Sequence, residues 1–186
     1  MKDKDSIKEY MMDSRTEVEM LDNVEKYKAL EYKNIQRLTE LIKRLGKDVK
    51  IVLNEPEEVT GDMKKADADY LLLIDNKGYY VEVKHFNGQG NPIKCSNIKS
   101  YEDKRGNVLL LYVKNYDDPE KEKFALINTK DIPRKNVVQA SGLGNKFAYF
   151  FHVDEWFKFD KVKKDLRDLN KFQTKLNKEL GRYYEW

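Results

Sequence analysis

The chain has 186 residues and a net charge of +3, and its 40% hydrophobic content is too high for a disordered chain, so one domain with a substantial core is expected. One cysteine and two histidines exclude an intramolecular disulfide framework and argue against a structural zinc site, which leaves oxygen ligands for any bound metal. No apolar stretch approaches the roughly 20 residues that cross a bilayer, and no signal-peptide core is present, so we expect a cytoplasmic protein without a membrane partner.

The first predicted element is a long amphipathic helix. Ser14–Glu17 has the form of a capping box, and apolar residues then recur at helical spacing as far as Leu45, just before a glycine. The pattern indicates either one helix or two helices broken near Asp22. Residues 49–53 are rich in β-branched side chains and predict a first strand, and a polar loop over residues 54–65 follows.

Residues 69–75 and 79–86 predict a β-hairpin with a four-residue turn that ends in a glycine. This turn places Asp69 directly opposite Lys84. Because side chains alternate along a strand, Asp69, Glu82 and Lys84 would share one face, and the apolar side chains of both strands would share the other. Two carboxylates and an ammonium at one end of a hairpin suit a hard cation and a phosphodiester.

The rest of the chain continues an α/β pattern. The predicted elements are a glycine-rich loop over residues 87–92, a short basic helix over 93–104, strands over 108–113, 124–128 and 147–153, and a helix over 155–180 that stops at Gly181. Residues 161–186 carry eight basic and four acidic residues. This local excess suits a polyanionic partner, although lysine-rich helices are often only solvated surfaces.

This order of elements, with an aspartate opening the second strand and Glu-x-Lys in the third, resembles the PD-(D/E)XK nuclease superfamily, which includes restriction endonucleases and Holliday-junction resolvases. The resemblance covers about residues 24–114. It implies a restriction endonuclease-like αβββαβ core, with a mixed central sheet flanked by helices. Residues 115–186 would add strands and a helix, so that residues 1–186 form a single nuclease domain.

The resemblance also assigns roles to residues. Its first acidic position falls on Asp69, and its second acidic residue and its lysine fall on Glu82 and Lys84. It implies a site for Mg²⁺ or Mn²⁺ held by the Asp69 and Glu82 carboxylates and the main-chain carbonyl of Val83, with Lys84 orienting or deprotonating the attacking water. Asp67 is a further candidate for a supporting role at the metal. A glutamate of the first helix is another, for which spacing does not separate Glu25, Glu31 and Glu40, with Glu31 ranked first.

The tripeptide motif is not specific by itself, and a purely structural alternative exists. Acidic-x-Lys occurs five more times in the chain, for example at Glu31, so the tripeptide alone carries little weight. The structural alternative is an ordinary cross-strand salt bridge between Asp69 and Lys84, with Glu82 at the solvent face of an edge hairpin. His85 follows the motif but should face away from Lys84, which favours a structural role for it.

The function predicted from these observations is that of a Mg²⁺-dependent DNA endonuclease of resolvase or restriction type. DNA is favoured over RNA as the partner, and a homodimer is a hypothesis, with the first helix or the aromatic strand near Phe150 as its interface. The alternatives are a ribonuclease or toxin that uses the same metal site, and a non-catalytic nucleic-acid-binding protein that keeps the fold. The candidate contacts to nucleic acid are Lys94, Asn97, Lys99, Lys163, Lys164 and Arg167.

Overall fold

The computed structural model describes residues 17–53, 70–105, 108–135, 137–144 and 146–182. The chain divides into two units, residues 1–33 and 34–186. The described part of the first unit is helical, and the second unit contains strands and helices. Among the helices of the described ranges, none combines the length and the apolar character of a membrane-crossing segment.

Eight strands and four helices are described. The strands are β1 (Val49–Leu53), β2 (Tyr70–Ile74), β3 (Lys77–Phe86), β4 (Pro92–Lys94), β5 (Leu109–Lys114), β6 (Lys123–Asn128), β7 (Val138–Ala140) and β8 (Lys146–Phe150). The helices are α1 (Glu17–Arg44), α2 (Cys95–Arg105), α3 (Phe159–Lys164) and α4 (Leu166–Arg182). Two short 3-10 turns cover Thr129–Asp131 and Ser141–Leu143.

Helix α1 is continuous over 28 residues, so the alternative of a break near Asp22 is wrong. The predicted capping box lies outside the described residues except for Glu17, where the described helix begins. The helix ends as expected at a glycine. Gly46 has a φ of 78°, and its N–H donates to the Lys43 carbonyl at 2.9 Å, which satisfies one of the free carbonyls of the last turn.

The main sheet has five strands in the order β1-β2-β3-β5-β6. Strands β3 and β5 are parallel, with helix α2 in the connection between them, and the other three pairs are antiparallel. The predicted α/β class with a mixed sheet flanked by helices is therefore confirmed. A second sheet of three strands, in the order β4-β8-β7, is antiparallel throughout. Residues 93 and 94, predicted to begin a helix, belong to β4 instead.

Each face of the main sheet has its own apolar core. On one face, the side chains of Val81, Val83 and Leu111 pack in a cluster with residues of α1, α3 and α4, including the fully buried Leu38 and Phe172. The opposite face carries Phe86, Leu110 and Tyr112, which pack with Ile98 and Tyr101 of α2 and with Phe151. Strand β3 lies at the centre of the sheet and contributes to both cores, because its side chains alternate between the faces.

The register of the β2–β3 hairpin differs from the predicted one by two residues. Tyr70 pairs with Val81 and Ile74 with Lys77, whereas the predicted pairing of Asp69 with Lys84 requires Tyr70 to face Val83. The turn is shorter than predicted because Asp75 and Asn76 both take left-handed conformations, with φ of 49° and 65°. Such a two-residue turn matches the twist of the strands, and Gly78 is therefore part of β3.

A shift of two residues leaves the side-chain faces unchanged, because the period of a strand is two. The predicted division of side chains between the two faces of the hairpin is confirmed for the described residues. Tyr70, Leu72 and Val83 face one core, and Glu82 and Lys84 lie on the other side of β3. The prediction that Asp69 joins Glu82 and Lys84 concerns a residue outside the described ranges, as does the alternative ligand Asp67.

The last predicted helix starts later than expected and is interrupted. Phe157 is extended and exchanges backbone hydrogen bonds of 2.8 Å with Phe124, so helix α3 begins only at Phe159. The chain breaks again at Asp165, whose carboxylate accepts from the N–H of Arg167 at 2.8 Å and caps α4. The side chains of Phe157, Phe159 and Phe172 pack around Phe124 of β6. Gly181, predicted as the stop, lies within α4.

Candidate active site

Glu82 is a buried carboxylate on the central strand of the main sheet. It is 4% exposed, and its direct neighbour on β5 is Leu110, which belongs to an apolar core. Burying a carboxylate in such surroundings is unfavourable unless a partner offsets its charge. The ammonium of Lys84, two residues further along the same face, forms an ion pair with Glu82 Oε1. The structure thus brings together two of the three residues predicted to be catalytic.

Lys84 links this buried carboxylate to the surface. Its side chain is 29% exposed, in contrast to that of Glu82. The neighbour of Lys84 on β5 is Tyr112, which is buried and donates through its hydroxyl to the Pro92 carbonyl at 3.1 Å. Burial raises the pKa of Tyr112 above its ordinary value. The Tyr112 hydroxyl therefore stays protonated as a donor, and Lys84 supplies the positive charge beside Glu82.

The described residues supply only part of the predicted metal site. The Glu82 carboxylate is the kind of hard oxygen ligand that Mg²⁺ and Mn²⁺ prefer, and the main chain of Val83 lies next to it. Asp69 and Asp67 lie outside the described residues. Glu31 is half-buried on α1 and belongs to the unit of residues 1–33. Within the described ranges, no group of three acidic, histidine or cysteine side chains is arranged to hold a metal ion.

His85 faces away from Lys84, as predicted, and is held in a hydrogen-bond network. Its Nε2 lies 2.8 Å from Nδ2 of Asn34, a fully buried residue of α1. Arg37 donates to Asn34 Oδ1 at 2.9 Å, which fixes the orientation of that amide, and also pairs with Glu122 at 2.7 Å. Burial, with a smaller contribution from Lys84, lowers the pKa of His85 to about 4. A neutral His85 therefore accepts through Nε2 in a structural role.

Lys114 is a buried residue near the site that the sequence analysis missed. It is 6% exposed and lies beside Phe86 on the parallel strands, on the same sheet face as Glu82 and Lys84. Its Nζ is 3.3 Å from Asn91 Oδ1 and 5.0 Å from the centre of the Phe86 ring. Burial lowers the pKa of Lys114, and the positive charge of Lys123 lowers it further. The sequence did contain a signal for it. Lys114 directly follows a predicted buried strand and lies two residues after Tyr112, so the two side chains share a sheet face.

The predicted nucleic-acid contacts fall into two groups in the structure. Lys94 ends β4, and Asn97 and Lys99 lie on α2, which packs on the sheet face that carries Glu82. The second group lies on α3 and α4, which pack on the opposite face, and consists of Lys163, Lys164 and Arg167. Only the first group is therefore on the side of the sheet from which Glu82 and Lys84 project.

Comparison with known proteins finds no matching family model, curated protein or solved structure for this chain.

Proposed function

We propose that this chain is a Mg²⁺-dependent DNA endonuclease with a restriction endonuclease-like core. The observation that carries the proposal is Glu82, a 4% exposed carboxylate that points into an apolar sheet face and has the ammonium of Lys84 beside it. A buried carboxylate on an apolar sheet face lowers stability unless its charge is offset, so a protein that keeps one is a candidate for function at that position. Apart from the three-residue strand β4, the chain order of α1, β1, β2, β3, α2 and β5 agrees with an αβββαβ core, in which this pair would lie on the third strand, and so supports the same proposal.

The residues have distinct roles in this proposal. Glu82 and the Val83 carbonyl would hold the ion, and Asp69 is proposed as the second carboxylate ligand on its sequence position alone. A bound divalent ion supplies a nucleophilic water at neutral pH and neutralises charge on the phosphoryl oxygens. Lys84, which is partly exposed, would orient the attacking water and offset negative charge as the phosphorus–oxygen bond breaks. Lys94, Asn97 and Lys99 would contact backbone phosphates from the same side of the sheet.

The test is a cleavage assay on supercoiled, linear and four-way-junction DNA, in Mg²⁺ and in EDTA. We expect metal-dependent cutting by the wild type and at least a 100-fold loss in Glu82→Gln and in Lys84→Met, as the removal of one electrostatic group commonly costs about 10²–10³ in rate. Asp160→Asn and Lys77→Met are matched controls, since both residues are exposed and lie away from the Glu82 face. Both controls should cut like the wild type.

The same assay separates the alternatives. Equal cutting by Glu82→Gln and the wild type would overturn the proposed site. Metal-dependent cutting of RNA but not of DNA, with the same loss in Glu82→Gln, would favour the ribonuclease alternative. Salt-sensitive DNA binding without cutting in any metal would favour a non-catalytic binding protein, in which the Glu82–Lys84 pair is only structural.

A further inference from the structure

We propose that Lys114 and Asn91 form a binding site for one backbone phosphate of the nucleic acid, at the carboxyl end of the parallel strands β3 and β5. This inference rests on the proposed function and adds a phosphate contact that the proposed function does not include. In open α/β sheets, ligands bind in the crevice beyond the carboxyl ends of the strands. Lys114 is the last residue of β5 and pairs with Phe86, the last residue of β3.

The position of Lys114 places it next to the proposed active site. Lys84 pairs with Tyr112 in the parallel ladder, and Lys114 follows Tyr112 by two residues on the same face. The two lysines lie on neighbouring strands and are offset by two residues, so the strand spacing and the rise per residue separate their backbones by about 8 Å. Neighbouring phosphates of a single polynucleotide strand are spaced by a similar distance and can contact both lysines. One phosphate at Lys84 and its neighbour at Lys114 would therefore fit along this sheet edge.

The charge of Lys114 has no acidic counterpart among the described residues. Its contacts are the Asn91 side-chain oxygen and the Phe86 ring. Lys123, its neighbour on β6, adds a second positive charge, and the Lys123 ammonium lies over the Trp156 ring at 4.6 Å. A buried charge without a counter-ion is unfavourable, and a like charge beside it makes it more so. A bound phosphate would offset both lysines, which no described side chain does.

Asn91 is oriented for this role by a second hydrogen bond. Its Nδ2 donates to the Phe151 carbonyl at 3.2 Å, so its Oδ1 is the atom that faces Lys114 and fixes the ammonium. The preceding loop is exposed, and Gly88 and Gly90 have φ values of 135° and 69°. A left-handed residue such as Gly90 occurs in concave loops whose main-chain N–H groups bind anions. The phosphate would therefore lie between this loop and Lys114.

The experiment measures binding of a fluorescent DNA duplex by anisotropy in EDTA, where no cutting occurs, between about 50 and 200 mM salt. We expect Lys114→Met to weaken binding and to make the slope of log K against log salt less steep by about 0.9, the contribution of one phosphate contact. Lys77→Met is the matched control, because Lys77 is an exposed lysine at the opposite end of β3. Its slope should equal that of the wild type. An unchanged slope in Lys114→Met, or a wild type that does not bind the duplex, overturns the inference.

A second measurement uses the wild type alone and so does not depend on the folding of a variant. We expect the NMR signals of the Lys114 side chain to report a rise in its pKa when the duplex is added, because a phosphate favours the ammonium form. No rise overturns the inference. If Glu82→Gln loses cutting but Lys114→Met keeps the wild-type salt slope, only this inference is contradicted. If Lys114→Met changes the salt slope but the wild type never cuts DNA, only the proposed function is contradicted.

Discussion

Asn34 Nδ2 lies 2.8 Å from His85 Nε2 and connects helix α1 to the central strand of the sheet, on the face opposite Glu82. Asn34 is fully buried, and its amide is oriented by the hydrogen bond from Arg37. The arrangement requires a histidine that accepts at Nε2, which only the neutral ring can do. The position of the strand that carries Glu82 and Lys84 is therefore coupled to the protonation of His85.

The stability of the protein should depend on pH through His85. Burial is the main cause that lowers its pKa from 6.5 to about 4, so between these values the unfolded chain binds the additional proton. This contribution to the free energy of unfolding, about 3–4 kcal/mol at 1.36 kcal/mol per pKa unit, is complete above pH 6.5 and is lost as the pH falls towards 4. Urea unfolding at several pH values across this window measures the slope.

The variant His85→Phe should be less stable than the wild type at neutral pH, because the Asn34 amide loses its acceptor, and it should lose this part of the pH dependence. His152→Phe is the matched control, since the His152 side chain is 86% exposed. In His152→Phe, the free energy of unfolding should depend on pH as it does in the wild type. A slope that survives in His85→Phe would show that another group is responsible.

The conformation of the β2–β3 turn predicts how substitutions in the turn change the stability of the protein. Asn76 has a φ of 65°, which asparagine tolerates and alanine does not, so Asn76→Ala should lower the free energy of unfolding by about 1 kcal/mol. Asn76→Gly should be neutral or slightly stabilising. Lys77→Ala, one residue further along and inside β3, is the control and should change stability by less than about 0.5 kcal/mol. Equal losses in both alanine variants would argue against the two-residue turn.

Much of the fold follows from local periodicity. Strand β1 has the predicted bounds, β6 differs from its prediction by one residue, and α1 follows its apolar repeat to Gly46. The pairing of Glu82 with Lys84 on one face also follows, because residues two apart in a strand share a face. The predicted register of the hairpin was wrong, because the sequence is compatible with two turns. The predicted turn ends at Gly78, whereas in the observed turn Asp75 and Asn76 take left-handed conformations.

The remaining features depend on contacts between distant parts of the chain. Strands β4 and β7 have three residues each, too few to show a period, and they exist because both pair with β8. The network behind His85 joins Asn34 to a residue 51 positions away and Arg37 to one 85 positions away. The extended conformation of Phe157 likewise reflects its pairing with Phe124, which overrides helical spacing.

The proposed metal site predicts a ligand-dependent stability. An ion that binds only the folded state stabilises it by about 1.4 kcal/mol at ten times its dissociation constant, which corresponds to a rise in Tm of about 3–6 °C for a chain of this size. We expect Mg²⁺ or Mn²⁺ to produce such a rise in the wild type and in Asp160→Asn, and EDTA to reverse it. Glu82→Gln should show no rise. A rise of the same size in Glu82→Gln would place the ion elsewhere.

Exposed aromatic side chains on β8 predict how two copies associate. Phe147 is 61% exposed, and Phe150, three residues further on and therefore on the opposite face of β8, is 37% exposed. Cutting both strands of DNA needs two active sites, so we expect a homodimer in size-exclusion chromatography with light scattering. Phe147→Ser should shift it to a monomer without loss of stability, because the side chain is not part of the core. Tyr27→Ser tests the other predicted interface, on α1, where Tyr27 is 42% exposed. A monomeric wild type would contradict the dimer, and loss of the dimer only in Tyr27→Ser would transfer the interface to α1.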